Sequence, residues 1–345
     1  MKKWKLFFAV LFFTSFICFF ILFFSFPNKS SQIPSEEGNI SVFFCPQEDC
    51  EFQLLFYINE SDTSIDCAFY DLNLPSVITL LEEKENVGVS VRIVVDADNK
   101  AAASALSFVH FDTRTAYMHD KFCIFDNKQI MTGSMNPTVS DATQNNNNIL
   151  FISSPSLVQN YNAEFSSLWN GKFGADDVVK IPQFKFNNFT LENYFCPEDD
   201  CEQHILDVLT TANTSIHFLE FSFTSDAIGH LLIEKGTKLK EPSISGESTS
   251  VEIAGVMEKS QNNAYTEYEK LHHFFNVSWD GNPHFLHDKV FIVDHAIVIT
   301  GSMNPSKNGN EKNDENILII HNPEIAQLYE EEFERLEQDA QSDQS

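Results

Sequence analysis

Hydrophobic runs divide the chain into segments of two kinds. Leu6–Phe26 carries no charge over 21 residues, and a helix at ~1.5 Å per residue would span a bilayer core of roughly 30 Å. Beyond it the apolar runs are short. Ser64–Tyr70 and the β-branched Val89–Asp96 have strand length, and Pro75 opens a helix to about Glu85. His119–Phe125 and Gln129–Thr132 read as two strands joined by the polar turn Asp126-Asn127-Lys128. A helix from Pro155 to Trp169, ended by Gly171, closes the series. The same succession then returns with strands at Ser215–Phe223, Val251–Met257, His287–Val293 and Ala296–Thr300. Its helices run over Ala227–Lys235 and from Pro323. Alternating strands and helices of this kind predict an α/β fold, a mixed sheet flanked by helices, made twice.

Local identity supports the repeat. Phe44-Cys45-Pro46-Gln47-Glu48-Asp49-Cys50-Glu51 returns 151 residues later as Phe195-Cys196-Pro197-Glu198-Asp199-Asp200-Cys201-Glu202. Met118-His119-Asp120-Lys121 returns 168 residues later as Leu286-His287-Asp288-Lys289. The 17 additional residues of the second copy fit a surface loop around Lys238–Ser250. The resulting organisation is a cytoplasmic tip and transmembrane anchor at 1–26, a stalk at 27–41 and a first unit at 42–170. A linker at 171–192, a second unit at 193–338 and a tail at 339–345 complete it. Lys2, Lys3 and Lys5 precede the anchor, which places the N-terminus in the cytoplasm and the remainder outside, in a single-pass topology. A cleaved signal peptide is the competing reading, but its apolar region is usually only about 7–15 residues long.

The chemistry lies in a spacing that both units keep: His-x-Lys-x4-Asp-x6-Gly-Ser-x-Asn. It reads His119, Lys121, Asp126, Gly133, Ser134, Asn136 in the first and His287, Lys289, Asp294, Gly301, Ser302, Asn304 in the second. Strand alternation sets His119 and Lys121 on one face and turns Asp126 to the other, so Asp126 and Asp294 read as structural supports. An imidazole beside an ammonium suits an anionic phosphodiester: one supplies a nucleophile or an acid, the other neutralises oxygen charge. Ser134, Asn136, Ser302 and Asn304 would add hydrogen-bond donors.

On these residues the chain resembles the phospholipase D superfamily of phosphodiesterases. It is most similar to the compact members, which include bacterial nucleases and mitochondrial cardiolipin hydrolase-like enzymes. The resemblance implies two tandem phospholipase D-like α/β sandwich units in a monomer, with one active site between the repeats and no cofactor. It implies a phosphohistidine intermediate, with one histidine attacking phosphorus and the other serving as acid and then base. It also implies a carboxylate 28 residues after each motif histidine, a position held by Glu315 after His287 and by Asn147 after His119. Pairing within each unit would put Glu315 behind His287, as general acid, and Asn147 behind His119, as nucleophile.

Charge limits the substrate. With 22 Lys+Arg against 50 Asp+Glu the net charge is -28, and Arg92, Arg114 and Arg335 are the only arginines. An extended basic groove for a polyanion is therefore not expected. A membrane anchor and an acidic body favour a phospholipid, while the compact units favour DNA or RNA. Transfer to an alcohol, or phosphate binding without catalysis, are further alternatives. The lysines and histidines supply the positive charge a metal would bring, so no metal is expected and activity should survive chelation. His272-His273 and His284 tempt a metal reading, but no carboxylate–histidine set with ligand spacing accompanies them. The pairs Cys45/Cys50 and Cys196/Cys201 suit local disulfides, a shared zinc or free thiols, whereas Cys67 and Cys123 read as core residues.

Overall fold

The computed structural model describes residues 33–174, 177–238 and 250–343. The Leu6–Phe26 segment, residues 27–32 of the stalk and residues 239–249 of the inserted loop lie outside these residues. Among the described residues no helix is long and apolar enough to cross a membrane.

The first half runs β1 (Ser35–Glu36), β2 (Ile40–Cys45), α1 (Cys50–Asn59), β3 (Ser64–Phe69), α2 (Pro75–Asn86) and β4 (Ser90–Asp96). It continues with β5 (Val109–Asp112), β6 (Lys121–Phe125), β7 (Gln129–Gly133), α3 (Val139–Thr143), β8 (Asn147–Ile152) and α4 (Pro155–Trp169). The second half runs β9 (Gln183–Phe186), β10 (Phe189–Cys196), α5 (Cys201–Thr211), β11 (Ser215–Glu220), α6 (Asp226–Thr237) and β12 (Glu252–Met257). It ends with α7 (Tyr268–His272), β13 (Asn276–Trp279), β14 (Lys289–Val293), β15 (Ile297–Gly301), α8 (Lys307–Glu311), β16 (Glu315–His321) and α9 (Pro323–Asp343).

One sheet has the order β2-β8-β7-β6-β3-β4-β5. The other repeats it as β10-β16-β15-β14-β11-β12-β13 and adds β9 and β1 at its edge. Each sheet is mixed, with β3, β4 and β5 parallel and β6 antiparallel to β3. Outer helices α1 and α2 cover one face of the first sheet through Leu54, Val77 and Leu81, and α5 and α6 cover the second through Ile205 and Leu232. The opposite faces share a single core. Phe122, Ile124 and Leu150 of the first half meet Val290, Ile292 and Leu318 of the second there, with Tyr161 of α4 and Tyr329 of α9.

Several boundaries differ from the sequence reading. The stalk was expected to reach residue 41, but Ser35–Glu36 pair in parallel with Lys185–Phe186, and Ile40 already pairs with Ile152. The expected linker 171–192 contains β9 and the start of β10, hydrogen-bonded to each other. The tail expected from 339 is the end of α9. β1 and the start of β2 gain their partners from chain far away in sequence, whereas β9 and β10 form a local hairpin too short to stand out from the polar chain around it.

Cys45 is bonded to Cys50, Cys196 to Cys201, and Cys67 to Cys123. The first two join the end of β2 or β10 to the following helix, so zinc and free thiols are set aside. Cys67 and Cys123, read as core residues only, are fully buried but also joined, since β3 and β6 set them directly opposite each other. Cys18 lies outside the described residues.

Candidate active site

The motif histidines precede their strands instead of lying on them, because β6 and β14 begin at the lysines. What holds the histidines is the other half of the chain. His119 N–H donates to Asp314 O at 2.9 Å, and Asp314 N–H donates to Tyr117 O at 2.9 Å. The second half mirrors this: His287 N–H donates to Asn146 O at 2.8 Å, and Asn146 N–H donates to Phe285 O at 2.8 Å. The start of β16 therefore runs beside the first histidine, and the start of β8 beside the second.

This crossing corrects the expected partners. His119 Nδ1 lies 2.8 Å from Glu315 Oε2, and His287 Nδ1 donates to Asn147 Oδ1 at 2.8 Å. The offset of 28 residues is real, but each position serves the histidine of the opposite repeat. Asn147 is fixed with its oxygen toward the ring because its Nδ2 donates to Asp141 O at 3.2 Å. Glu315 accepts from Ser302 Oγ at 2.8 Å and from Asn313 Nδ2 at 3.2 Å.

Sequence reasoning missed Asp141, in α3. Its Oδ2 lies 3.6 Å from His287 Nδ1 and accepts from Asn136 N and Nδ2, both at 2.8 Å. Although burial opposes ionisation, His287 and the Asn145 and Asn136 amides hold the Asp141 carboxyl below its usual range. The matching position in the second half is Gly309. Each histidine thus has one carboxylate drawn from the other half: Glu315 directly behind His119, and Asp141 to the side of His287.

Both lysines are fully enclosed and held by backbone. Lys121 Nζ donates to His119 O at 2.6 Å, and Lys289 Nζ donates to His287 O. Burial lowers Lys121 to about 7 and Lys289 to about 8, opposed by Glu315 for the first and by Glu220 for the second. Burial, then Lys121 and Lys289, push His119 well below the ordinary imidazole value. Burial and Lys289 lower His287 likewise, with Asp141 opposing. Each histidine is influenced by the lysines of both repeats, so the two motifs form one electrostatic unit. Burial also raises Glu315 to about 8 against the pull of Lys121. Glu220, buried beside Lys289, is driven far above the usual carboxyl range by the same cause.

The two serines, Asn136, the two aspartates and Gly133 are supports. Ser134 Oγ sits 3.4 Å from Asn147 Oδ1 and Ser302 Oγ donates to Glu315, so neither serine is the free phosphate donor expected. The Asn136 amide nitrogen is likewise committed to Asp141, which leaves its Oδ1 without a partner, as is Asn304 Oδ1. Asp126 accepts from the backbone N–H of Asp62, Thr63 and Ser64, and Asp294 accepts from those of Asn213, Thr214 and Ser215. These contacts tie the β6–β7 and β14–β15 turns to the start of β3 and β11, a structural role. Gly133 is required by the backbone: at φ +143 a Cβ would come within 2.3 Å of Asn148 O.

A second layer binds the halves together. Asn316 Nδ2 donates to Asp120 Oδ1 and Asn148 Nδ2 to Asp288 Oδ1, both at 2.7 Å. Thr132 Oγ1 and Tyr161 OH donate to Asn316 Oδ1, and Thr300 Oγ1 and Tyr329 OH donate to Asn148 Oδ1. The paired recurrence of Asp120/Asp288 and Asn148/Asn316 was the sequence signal for this layer. Around the histidines the halves differ. Tyr70 packs edge-on to His119 with centroids 4.9 Å apart, and Phe221 takes the same place at His287.

Comparison with known proteins identifies the family. The family described as "Cardiolipin synthase, PLD-like domain" matches residues 54–169 and 205–337. The mitochondrial cardiolipin hydrolase of Xenopus tropicalis is 32% identical over 133 residues, covering 36% of this chain and 63% of that protein. The Chlamydomonas reinhardtii protein of the same name is 27% identical over 143 residues, covering 36% of this chain and 64% of its own length. The matched segments thus span a little under two thirds of these relatives. The phosphatidylserine synthase structure from Haemophilus influenzae Rd KW20 superposes with a TM-score of 0.59 at 12% identity, covering 84% of this chain and 85% of that one, a likeness of fold.

Proposed function

The chain belongs to the phospholipase D-like family, and from that premise we propose that it is a phosphodiesterase cleaving phospholipid through a covalent phosphohistidine. The observation that carries this reading is the pair of histidines, each held through Nδ1 by the opposite repeat. With Nδ1 engaged, Nε2 is the ring nitrogen available to substrate on each side.

His119 is the nucleophile. Its Nε2 lone pair attacks phosphorus, the bond from phosphorus to the leaving oxygen breaks, and that oxygen takes a proton from His287. The phosphorylated imidazole retains a proton on Nδ1 and carries positive charge, which Glu315 stabilises. His287, now neutral, removes a proton from water. The resulting hydroxide attacks phosphorus, breaks the N–P bond and returns His119 to its neutral form. Lys121 and Lys289 neutralise the phosphoryl oxygens throughout. Pairing within one repeat would have left His287 as the carboxylate-supported histidine. The crossed pairing keeps it as the acid for another reason, since Asp141 supports its cation.

Binding of the anionic substrate charges the site. Its negative charge raises the depressed lysines and His287, so these groups take up protons as the phosphodiester enters. No step requires a metal.

The arginines support lipid over nucleic acid. Arg92 is paired with Asp66, Arg114 with Asp112 and Asp314, and Arg335 with Glu332 and Asp339, so all three are engaged within the protein. The Leu6–Phe26 segment remains our proposed single-pass anchor, with the catalytic body extracytoplasmic, and the three disulfides support an oxidising compartment. The test is to offer the purified full chain mixed phospholipid vesicles, single-stranded DNA and RNA. Release of a headgroup alcohol or phosphatidic acid is expected; nucleic acid cleavage without lipid turnover would overturn the substrate assignment.

A further inference from the structure

A second cluster of ligand-type side chains involves none of the residues of the catalytic site. His217 lies on β11, His295 in the β14–β15 turn and Glu330 on α9, and one ligand atom from each lies within 4.8 Å of the others. His217 Nδ1 is 2.6 Å from Glu330 Oε2, and His295 Nδ1 is 2.8 Å from Glu330 Oε1. Glu330 is only 3% exposed. Oε1 makes no hydrogen bond, although His295 Nδ1 stands beside it as an ion-pair contact. Two imidazoles thus converge on one buried carboxylate, His217 Nδ1 by a hydrogen bond to Oε2, an arrangement in which one shared cation can replace the ring protons.

The other repeat provides an internal comparison. The positions matching His217, His295 and Glu330 are Asp66, Asn127 and Asn162. There Asp66 pairs with Arg92, and Asn162 Nδ2 donates to Asn127 Oδ1 at 2.9 Å, a set that needs no ion. In the second repeat all three positions are metal-ligand types, and Ala254 stands where Arg92 would, so no guanidinium competes.

We propose that His217, His295 and Glu330 bind one divalent transition-metal ion, with Zn²⁺ the best match to two imidazoles and a carboxylate. Ligand atoms around tetrahedral zinc at about 2.1 Å are separated by roughly 3.4 Å, so binding displaces the Nδ1 protons and requires only a small opening of the cluster. His295 Nε2 lies 3.3 Å from Ser215 Oγ, a contact that fixes the ring while Nδ1 ligates. The His295 side chain is 55% exposed, which leaves the fourth position to water. The ion ties α9 to β11 and to the turn after β14. It is structural, and distant chain positions supply its ligands, which is why no local spacing announced it.

The test uses the full chain in detergent, stripped with EDTA and dialysed, then titrated with Zn²⁺ against a chromophoric chelator. One Zn²⁺ per chain is expected. His295→Ala, at an exposed turn, and Glu330→Gln should each weaken binding by at least roughly tenfold. Zn²⁺ should raise the Tm of the parent protein and leave that of His295→Ala unchanged. His119→Asn should retain the zinc stoichiometry, which separates this site from the catalytic histidines. Absence of micromolar binding, binding unaffected by His295→Ala, or binding lost in His119→Asn would each overturn the proposal.

Discussion

Glu315 Oε2 lies 2.8 Å from His119 Nδ1 although 196 positions separate the two residues. One repeat thus carries the histidine and the other its carboxylate. The candidate site is consequently assembled from both halves, each contacting the histidine of the other.

Replacing Glu315 by Gln keeps an acceptor for Nδ1–H but removes the charge that stabilises the phosphoimidazolium. Phosphoenzyme formation in single-turnover experiments should slow by roughly 10²-fold or more, within the usual range for acid–base groups. An unchanged rate would show that Glu315 only positions the ring.

Asp141→Asn should act on the leaving group instead. His287 loses its supporting charge, so esters with a strongly basic leaving alcohol should slow by about 10²-fold. A p-nitrophenyl diester, whose leaving group needs little protonation, should slow far less. Equal losses for both would assign Asp141 to folding or to another step.

The alkaline limb of the pH profile follows from the lysines, because Glu315, raised to about 8, gains its working charge over the same range instead of losing it. Burial lowers Lys121 to about 7 and Lys289 to about 8 in the free protein, so raising pH through that range discharges groups that must be cationic. kcat/KM should fall across it, with His287, neutral in the free protein over this range, supplying its proton only after it takes one up as substrate binds. The bound phosphodiester raises both lysines, so the alkaline fall in kcat should lie at higher pH. On the acid side, His119 stays neutral below the ordinary histidine range, so its protonation limits activity only there. Coincident alkaline limbs would contradict the proposed charging on substrate binding.

Gly133→Ala should destabilise the fold by about 1–3 kcal/mol or more, since it combines a left-handed φ with a clash against Asn148 O. Urea denaturation would reveal this as a lower midpoint. Asn148 belongs to the layer that joins the halves, so activity should fall with stability.

Much of this architecture was legible in the chain. Repeated strands with β-branched cores, and motifs kept at identical spacing, predicted two α/β units and brought His119, Lys121, His287 and Lys289 to one site. Legibility ended where function depends on which repeat faces which. The offset from His287 to Glu315 is a property of one chain segment, whereas their non-pairing is a property of β16 lying beside Tyr117–His119. Asp141 was invisible for the same reason, because its counterpart Gly309 made the position look unrelated to the motif. β1 is only two residues long and forms by pairing with β9, while β9 alternates over Gln183–Phe186 but is too short to stand out, and its hairpin with β10 holds it in the sheet.

The most direct test of the two-histidine mechanism is phosphoenzyme trapping with ³²P-labelled substrate in His119→Asn and His287→Asn. No labelled protein is expected from His119→Asn. Acid-labile, base-stable label should accumulate in His287→Asn when the leaving group is activated. Label persisting in His119→Asn and absent from His287→Asn would reverse the roles, and label in neither, with turnover intact, would contradict covalent catalysis at this site.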